Sequence, residues 1–240
     1  EAYRFNDAAN GLYQFTWGTF CDWYLEFAKP VFQGSDETAK AETRATAAWV
    51  LDQILVIGHP LIPFVTETLW TKLAEAANIT RPSVLMRAQW PSYEGLAAPD
   101  AAAEMDWVVD MVTSIRSVRA EMSVPAGAQL PATIKGADPT TKVRVETHGA
   151  LICANARLSS ISLSEYVAPG SAQVIVGEST VSLPLEGVVD LSKERERLSK
   201  EIAKLDAEIA GIIKKLSNES FVSKAPIEVV DENRERQAAK

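Results

Sequence analysis

Apolar residues near the C-terminus recur at steps of three and four, or of seven. They occupy the following positions: Leu191, Leu198, Ile202, Leu205, Ile209, Ile212 and Leu216. Arg195 is the one charged residue at a position of this seam, and the residues between the seam positions are mostly charged or small. A heptad pattern of this kind predicts a helix that pairs with another helix.

A second, shorter apolar series follows Pro226, which can open a helix because its missing N–H needs no partner there. A loop over 218–225 lets the chain fold back, so that Ile227 faces Leu216. We therefore predict an antiparallel coiled-coil hairpin over 190–240, with a first helix of about 27 residues that is roughly 40 Å long.

The start of the seam has no partner in this hairpin, because the second helix is shorter than the first. Leu191, Leu198 and Ile202 are the positions left over. We expect either that the natural chain continues past Lys240 by about three turns or that this end packs on the preceding module or on a neighbouring molecule.

The first 125 residues carry the three-to-four spacing of helices. We predict a helix that begins at Phe5, has a kink or break at Gly18 and ends at Lys29-Pro30. Ser35 or Asp36 is expected to cap the start of the next helix. Further helices are predicted over about 37–58, 63–77 and 100–121, with a proline-punctuated connector over 81–100. The bundle is expected to have an aromatic core: Phe5, Tyr13, Phe15, Trp17, Phe20, Trp23, Tyr24, Phe27, Trp49, Phe64 and Trp70.

Residues 126–189 have a different pattern, which predicts a small α+β module. Short strands are expected over 129–134, 160–163, 173–176 and 180–185, and a helix over 140–157. The predicted fold class is therefore mainly α: a helical bundle over 1–125, this module over 126–189, and the coiled-coil hairpin over 190–240.

The composition narrows the function. The 240 residues carry a net charge of −8, which argues against indiscriminate nucleic-acid binding. Residues 191–240 hold eleven basic and ten acidic side chains, so this tail carries +1 and the remainder −9. A nucleic-acid contact would therefore be local. No apolar run is long enough to cross a bilayer.

Catalytic and metal-binding patterns are missing from the sequence. Cys21 and Cys153 are expected to be buried free thiols, and neither they nor His59 and His148 complete the ligand spacing of a zinc site. No phosphate-binding glycine loop and no nucleophile motif is present. The helical pair Asp22 and Glu26 could poise an acid and a base, but ion pairs with neighbouring Lys or Arg are the favoured interpretation.

Two features could serve nucleic-acid binding, and each has a plain alternative. Rings near Trp17 could stack on unpaired bases, or could simply pack in the core. The basic residues of the heptad helix could follow a phosphate backbone, or could form a solvated face with i,i+4 ion pairs.

Several runs of sequence resemble one family of enzymes. YRFNDAA from Tyr3 and FCDWYLE from Phe20 resemble the anticodon-binding helices of bacterial valyl-tRNA synthetases. HPLIPFVTETLW from His59 and IRSVRAEM from Ile115 are similar to segments shared by the valine, isoleucine and leucine enzymes. KLSNESFVSKAP from Lys215 resembles the turn of the valine family's coiled coil, and the isoleucine family's cysteine-ligated zinc module has no counterpart here.

The resemblance implies the C-terminal, tRNA-binding part of a class I valine–tRNA ligase, an enzyme that joins valine to tRNA with ATP and Mg. The family's HIGH-like and KMSKS-like ATP signatures and its editing domain are missing, so no catalytic residue, metal site or cofactor is expected in this chain itself. The helix that usually begins the anticodon domain is expected upstream of Glu1. The implied partner is tRNA(Val), and no contact with a membrane is implied. The implied location is the cytoplasm.

The resemblance also implies which parts would touch tRNA. Candidate anticodon-binding residues are Arg4, Trp17, Asp22, Tyr24, Lys29 and Arg44. Candidate contacts of the arm to the tRNA backbone are Lys193, Arg195, Arg197, Lys200, Lys204 and Lys214. The parent enzyme is expected to be monomeric, whereas this piece could self-associate through the unpaired seam. The alternative function is a structural helical module that self-associates through its heptad and binds no nucleic acid, and an independent hydrolase or transferase is disfavoured.

Overall fold

The computed structural model describes residues 3–189 and 191–217, which form α-helices and one small sheet. The helices are α1 (Phe5–Gln14), α2 (Leu25–Gln33), α3 (Glu37–Gly58), α4 (Pro63–Ala77), α5 (Pro99–Glu121), α6 (Pro139–Ala156) and α7 (Leu191–Leu216). The strands are β1 (Leu130–Lys135), β2 (Leu158–Leu163), β3 (Ser171–Val176) and β4 (Ser179–Pro184). The mainly helical fold class with a small mixed sheet is confirmed.

The first helix is continuous from Phe5 to Gln33, because a π-helical segment (Phe15–Tyr24) joins α1 to α2. Of the predicted kink or break at Gly18, the break is therefore wrong, and so is the predicted end at Pro30. Gly18 permits a break but does not impose one, and the i→i+5 bonds of the π segment carry the helix through it. Pro30 removes one N–H only, and the N–H of Gly34 closes the last turn on the carbonyls of Pro30 and Val31.

The other predicted helices of the bundle lie within one residue of their observed bounds. Asp36 caps α3 as expected, because its carboxylate accepts hydrogen bonds from the N–H groups of Thr38 and Ala39 at 2.9 and 3.0 Å. His59, at the break after α3, lies 2.8 Å from the Thr66 hydroxyl, in agreement with a packed residue rather than a base.

The expected aromatic core of the bundle is wrong for more than half of its rings. Phe20 and Trp70 are buried, and Trp23, Tyr24 and Phe27 are half-buried. The remaining predicted core rings are exposed: Phe5, Tyr13, Phe15, Trp17, Trp49 and Phe64. Four of these rings line two open apolar grooves between the first helix and its neighbours. Phe15 and Trp49 line the groove of about 680 Å³, and Tyr13 and Trp17 line the one of about 520 Å³. One apolar stripe of a helix is too narrow to bury rings that lie on several of its sides.

The sheet has the strand order β2-β1-β4-β3, with β1 parallel to β2 and antiparallel to β4. β3 and β4 form a hairpin whose turn includes Gly177 at a φ of +58°, a conformation that favours glycine. The strands agree with their predicted positions to within two residues.

The core of the sheet is shared with α5, which precedes the domain boundary expected at about residue 125. Val108, Met111 and Ile115 of α5 are fully buried against Ile134 and Leu183 of the sheet, and α6 packs beside them. The expected domain bounds remain a prediction, but one hydrophobic core extends across them. We call α5, α6 and the four strands the sheet unit.

The heptad helix α7 is 26 residues long, close to the expected length. Ile212 is buried and Leu205 and Ile209 are half-buried, whereas Ile202 is 59% exposed at the edge of a groove that Ala120 also lines. The side chains of Leu191 and Leu198, and the whole predicted hairpin turn and second helix, lie outside the described residues. In the described part of the chain, no helix is both long and apolar enough to cross a membrane.

Candidate nucleic-acid interface

Five of the six predicted anticodon-binding residues lie at or along the first helix, and the sixth, Arg44, lies on α3, so the set is not gathered in one pocket. Arg4 precedes α1, and Lys29 lies 25 positions later in the same continuous helix. At roughly 1.5 Å per residue these two residues are about 37 Å apart. A single unpaired base cannot contact both, so the set can act only along an extended stretch of RNA.

The far end of this helix brings three of the predicted residues together. The Tyr24 hydroxyl donates to the carbonyl of Thr43, at 3.1 Å, next to Arg44 on α3. The Arg44 guanidinium lies 5.8 Å from the centre of the Phe32 ring, and Lys29 pairs with Glu26 at 2.6 Å. Lys29 and Arg44 are exposed, so this end of the bundle presents two cations beside an exposed ring.

Tyr24 itself is held by packing. Its ring stacks on Phe20 at a centroid distance of 5.7 Å and an interplanar angle of 10°. Burial raises the pKa of the Tyr24 phenol above its usual value. Tyr24 is therefore held by Phe20 at its ring and by Thr43 at its hydroxyl, and it helps to fix this end of the bundle. Its contact with RNA stays a prediction.

The middle of the helix carries Trp17 and Asp22, both exposed and both within the π segment. Trp17 is 56% exposed and also lines one of the apolar grooves beside α1. Arg4, at the near end, forms an ion pair with Asp7. Glu26, which the sequence paired with Asp22 as a possible acid and base, instead meets Lys29, as the favoured interpretation expected.

Several exposed rings were not among the predicted tRNA contacts, and Phe15 and Phe32 are two of them. Phe15 was expected in the core but is 46% exposed, and Phe32, which follows the predicted end of the helix at Pro30, lies in the last turn of α2 beneath Arg44. Exposed rings near cations are suited to stacking on unpaired bases. Phe32 could have been found by allowing the helix to continue through Pro30.

The predicted arm residues lie along α7. The positions 193, 197, 200 and 204 follow each other at steps of four, three and four, which places them along one line of the helix. Lys200, Lys204 and Lys214 are exposed, and Lys200 pairs with Glu196 at 2.7 Å. Arg195 is exposed at a seam position, and the side chains of Lys193 and Arg197 lie outside the described part.

The described residues hold no group of three or more His, Cys, Asp and Glu side chains that could bind a metal ion. Cys21 and Cys153 are free thiols and only half-buried, not fully buried as expected. The features left for chemistry are exposed rings, exposed cations and one long basic helix. Such features are suited to contacts with phosphates and unpaired bases.

Comparisons with known proteins match both ends of the chain. Residues 1–134 match the family model described as the anticodon-binding domain of tRNA ligase, and residues 190–240 match the one described as the valyl tRNA synthetase tRNA binding arm. These two matches include every residue predicted to contact tRNA.

Relatives at about half identity cover the chain from end to end. The chain is 48% identical to the valine–tRNA ligase of Mesorhizobium japonicum over 99% of the chain's own length, and 50% identical to that of Brucella suis over 98% of it. The enzyme of Caulobacter vibrioides is 47% identical over 99% of the chain. The chain spans about a quarter of the length of these relatives. Because the first family model covers more than half of its residues, this chain belongs to the family of anticodon-binding domains of tRNA ligases.

Proposed function

We propose that this chain is the tRNA-binding part of a valine–tRNA ligase, in which the bundle contacts the anticodon loop and the arm contacts the tRNA backbone. The observation that carries the proposal is the order of the two matches: an anticodon-binding domain over 1–134 is followed by a tRNA-binding arm over 190–240. The whole enzyme would join valine to tRNA(Val), with ATP and Mg bound in the three quarters of the relatives' length that this chain does not span.

The geometry of the bundle supports the first half of this proposal. Sequence-specific RNA recognition targets unpaired bases that stack on aromatic or guanidinium planes. The helix from Phe5 to Gln33 exposes Trp17 midway, and Arg44 over Phe32 lies at its far end. An anticodon loop could therefore meet a stacking ring and a cation along one helix.

The charge distribution supports the second half. The chain as a whole is acidic, so it would repel tRNA over most of its surface. The exposed lysines of α7 at 200, 204 and 214 extend over about 21 Å of helix, as a contact with successive phosphates requires. Each phosphate contact releases counterions, which makes the affinity fall as salt rises.

A binding titration with the complete chain tests the proposal. The 240-residue protein is titrated with valine tRNA, and with the same tRNA carrying altered anticodon bases, at two salt concentrations. Tighter binding of the unaltered tRNA and a loss of affinity at the higher salt are expected. Binding no better at low salt than that of an unrelated protein with a net charge of −8 would overturn the proposal for this chain.

The alternative, a structural module that self-associates through its heptad, is distinguished by removing the arm. A chain that ends at residue 189 should lose affinity for tRNA if the arm binds the backbone. Loss of a dimer on this truncation, measured by sedimentation, with no loss of tRNA affinity would assign the arm to self-association, and no tRNA binding by either chain would favour the alternative as a whole. Nothing in the comparisons supports that alternative function.

A further inference from the structure

Arg116 connects two parts of the molecule that are far apart in sequence. It lies on the exposed side of α5, and its Nε donates a hydrogen bond to the backbone carbonyl of Asn155, at 3.0 Å, near the end of α6. Its guanidinium carbon also lies 5.5 Å from the centre of the Trp23 ring in the π segment. One side chain therefore spans from the first helix of the bundle to the sheet unit.

The contact at Trp23 lies next to the candidate anticodon site. Trp23 stands between Asp22 and Tyr24, and its ring tilts against Phe27 at a centroid distance of 5.5 Å. Both Trp23 and Phe27 pack against the core of the sheet unit, although they belong to the first helix. The guanidinium of Arg116 lies against the Trp23 ring at this junction.

The contact at Asn155 lies where α6 turns into β2. Two residues later, Arg157 adopts a left-handed conformation with φ of +54°, and β2 begins at Leu158. The carbonyl of Arg157 accepts a hydrogen bond from Arg119, one helical turn after Arg116 on α5. The two arginines of the IRSVRAEM run thus fix the same turn of the sheet unit, and only Arg116 reaches the bundle as well.

We propose that Arg116 is a positioning residue that holds the bundle at a fixed orientation to the sheet unit, so that the anticodon site and the arm engage one tRNA together. This inference rests on the proposed function for its purpose, but the joint itself can be measured without tRNA. Two sites on a rigid frame act at a high effective concentration for each other, and loosening the frame lowers that concentration without removing a contact.

The rival role for an exposed arginine is a direct contact with a tRNA phosphate. Arg116→Lys separates the two roles, because lysine keeps the positive charge but lacks the planar fork that both stacks on a ring and donates along a fixed direction. A phosphate contact would largely survive this substitution, whereas the joint between Trp23 and Asn155 would not. Arg87→Lys, at an exposed arginine in the short turn Leu85–Arg87, is the matched control.

The first measurement is a distance distribution between spin labels at Ala76 on α4 and Ala150 on α6, both exposed, with Cys21 and Cys153 replaced by alanine. Arg116→Lys should broaden the distribution while the helix content and thermal melt of the chain stay unchanged. Arg87→Lys should leave the distribution as it is. An unchanged distribution in Arg116→Lys would overturn the joint.

The second measurement compares whole valine tRNA with its isolated anticodon stem-loop. Arg116→Lys should lower the affinity for the whole tRNA by roughly five- to tenfold and the affinity for the stem-loop by less than about twofold, because only the whole tRNA spans both sites. Equal losses on both RNAs, or none, would overturn the positioning role. If the unsubstituted 240-residue chain binds neither RNA, the proposed function fails. The distances between the labels still decide whether the joint exists.

Discussion

The guanidinium of Arg119 donates a hydrogen bond to the carbonyl of Ala128 across 2.8 Å and so closes the turn between α5 and β1. The same group reaches the carbonyls of Pro125, at 3.4 Å, and of Arg157, at 3.3 Å. Arg119 is only 6% exposed, and this burial, with a smaller effect from the neighbouring charge of Arg157, lowers the pKa of its side chain. A buried guanidinium thus ties the end of α5 to the entrances of two strands.

Replacing Arg119 by methionine should lower the free energy of unfolding by about 3 kcal/mol, because the three carbonyls that it binds lose a charged donor. Urea unfolding followed by circular dichroism measures the change. Arg87→Met, at an exposed arginine, should cost less than about 0.5 kcal/mol. A loss in Arg119→Met no larger than in this control would contradict the structural role.

The same substitution at two helical glycines should have opposite effects. A Cβ at Gly149 on α6 would lie 3.2 Å from Cγ2 of Ile161 on β2, so Gly149→Val should cost about 1–3 kcal/mol through overpacking. Gly11 on α1 has open space around it, and Gly11→Val should gain a few tenths of a kcal/mol, roughly, from backbone entropy. Thermal melts of the two variants should shift in opposite directions, and a similar shift in both would argue against close packing of α6 on β2.

The cap of α6 should make stability depend on acid pH. Asp138 accepts a hydrogen bond from the N–H of Thr141 at 2.6 Å, and this bond is the main reason that its pKa lies below the ordinary value of 3.8. A lowered pKa in the folded state means that the cap stabilises the fold above pH 3.8 and that this stability is lost as the pH falls through the folded value.

Asp138→Asn keeps an acceptor at the cap but cannot titrate. Its melting temperature should therefore lie below that of the unsubstituted chain well above pH 3.8, and the difference should shrink as the pH falls below that value. Asp106→Asn, at an exposed carboxylate on α5, controls for the loss of one charge. A gap between Asp138→Asn and the parent that stays constant with pH would mean that the carboxylate contributes nothing by its charge.

Hydrophobic spacing located the elements well because periodicity reports local structure. The pattern around Leu130 and Ile134 predicted β1, and Asp36 predicted the start of α3, since caps and alternation depend on near neighbours in the chain. Gly18 and Pro30 misled the prediction of the first helix. Both residues lower helix propensity locally, but one missing donor or one flexible residue does not outweigh a helix that its neighbours support.

The surroundings of a side chain were harder to predict, because periodicity shows which residues share a stripe but not what covers it. Phe15 and Trp49 were expected in the core, yet both line an open groove. Arg116 contacts Trp23, more than ninety positions before it, and also Asn155. No pattern in the sequence predicted these contacts. Periodicity therefore predicts the helix that carries the candidate site better than it predicts which of its side chains are exposed.

Each lysine of the arm that meets a phosphate should contribute to the salt dependence of tRNA binding. Lys204→Gln should lower the slope of log affinity against log salt by about one, with nearly the same factor for every tRNA tested. Lys72→Gln removes an exposed lysine from α4, away from the arm, and should leave the slope unchanged. Equal slopes in the parent and in Lys204→Gln would remove this lysine from the backbone contact.

Trp17 offers the sharpest test of stacking in the bundle, because its ring is 56% exposed and its loss should cost the fold little. Trp17→Ala should weaken the binding of the anticodon stem-loop by about 1–3 kcal/mol, the usual contribution of one base stacked on an aromatic ring. Trp90→Ala removes a ring of similar exposure, 61%, from the connector before α5 and is the matched control. If Trp17 only covers the apolar groove beside α1, Trp17→Ala should lower the melting temperature and leave stem-loop affinity equal to that of the control. A loss of affinity at unchanged melting temperature instead requires that the ring meets RNA, because packing alone cannot separate the two measurements.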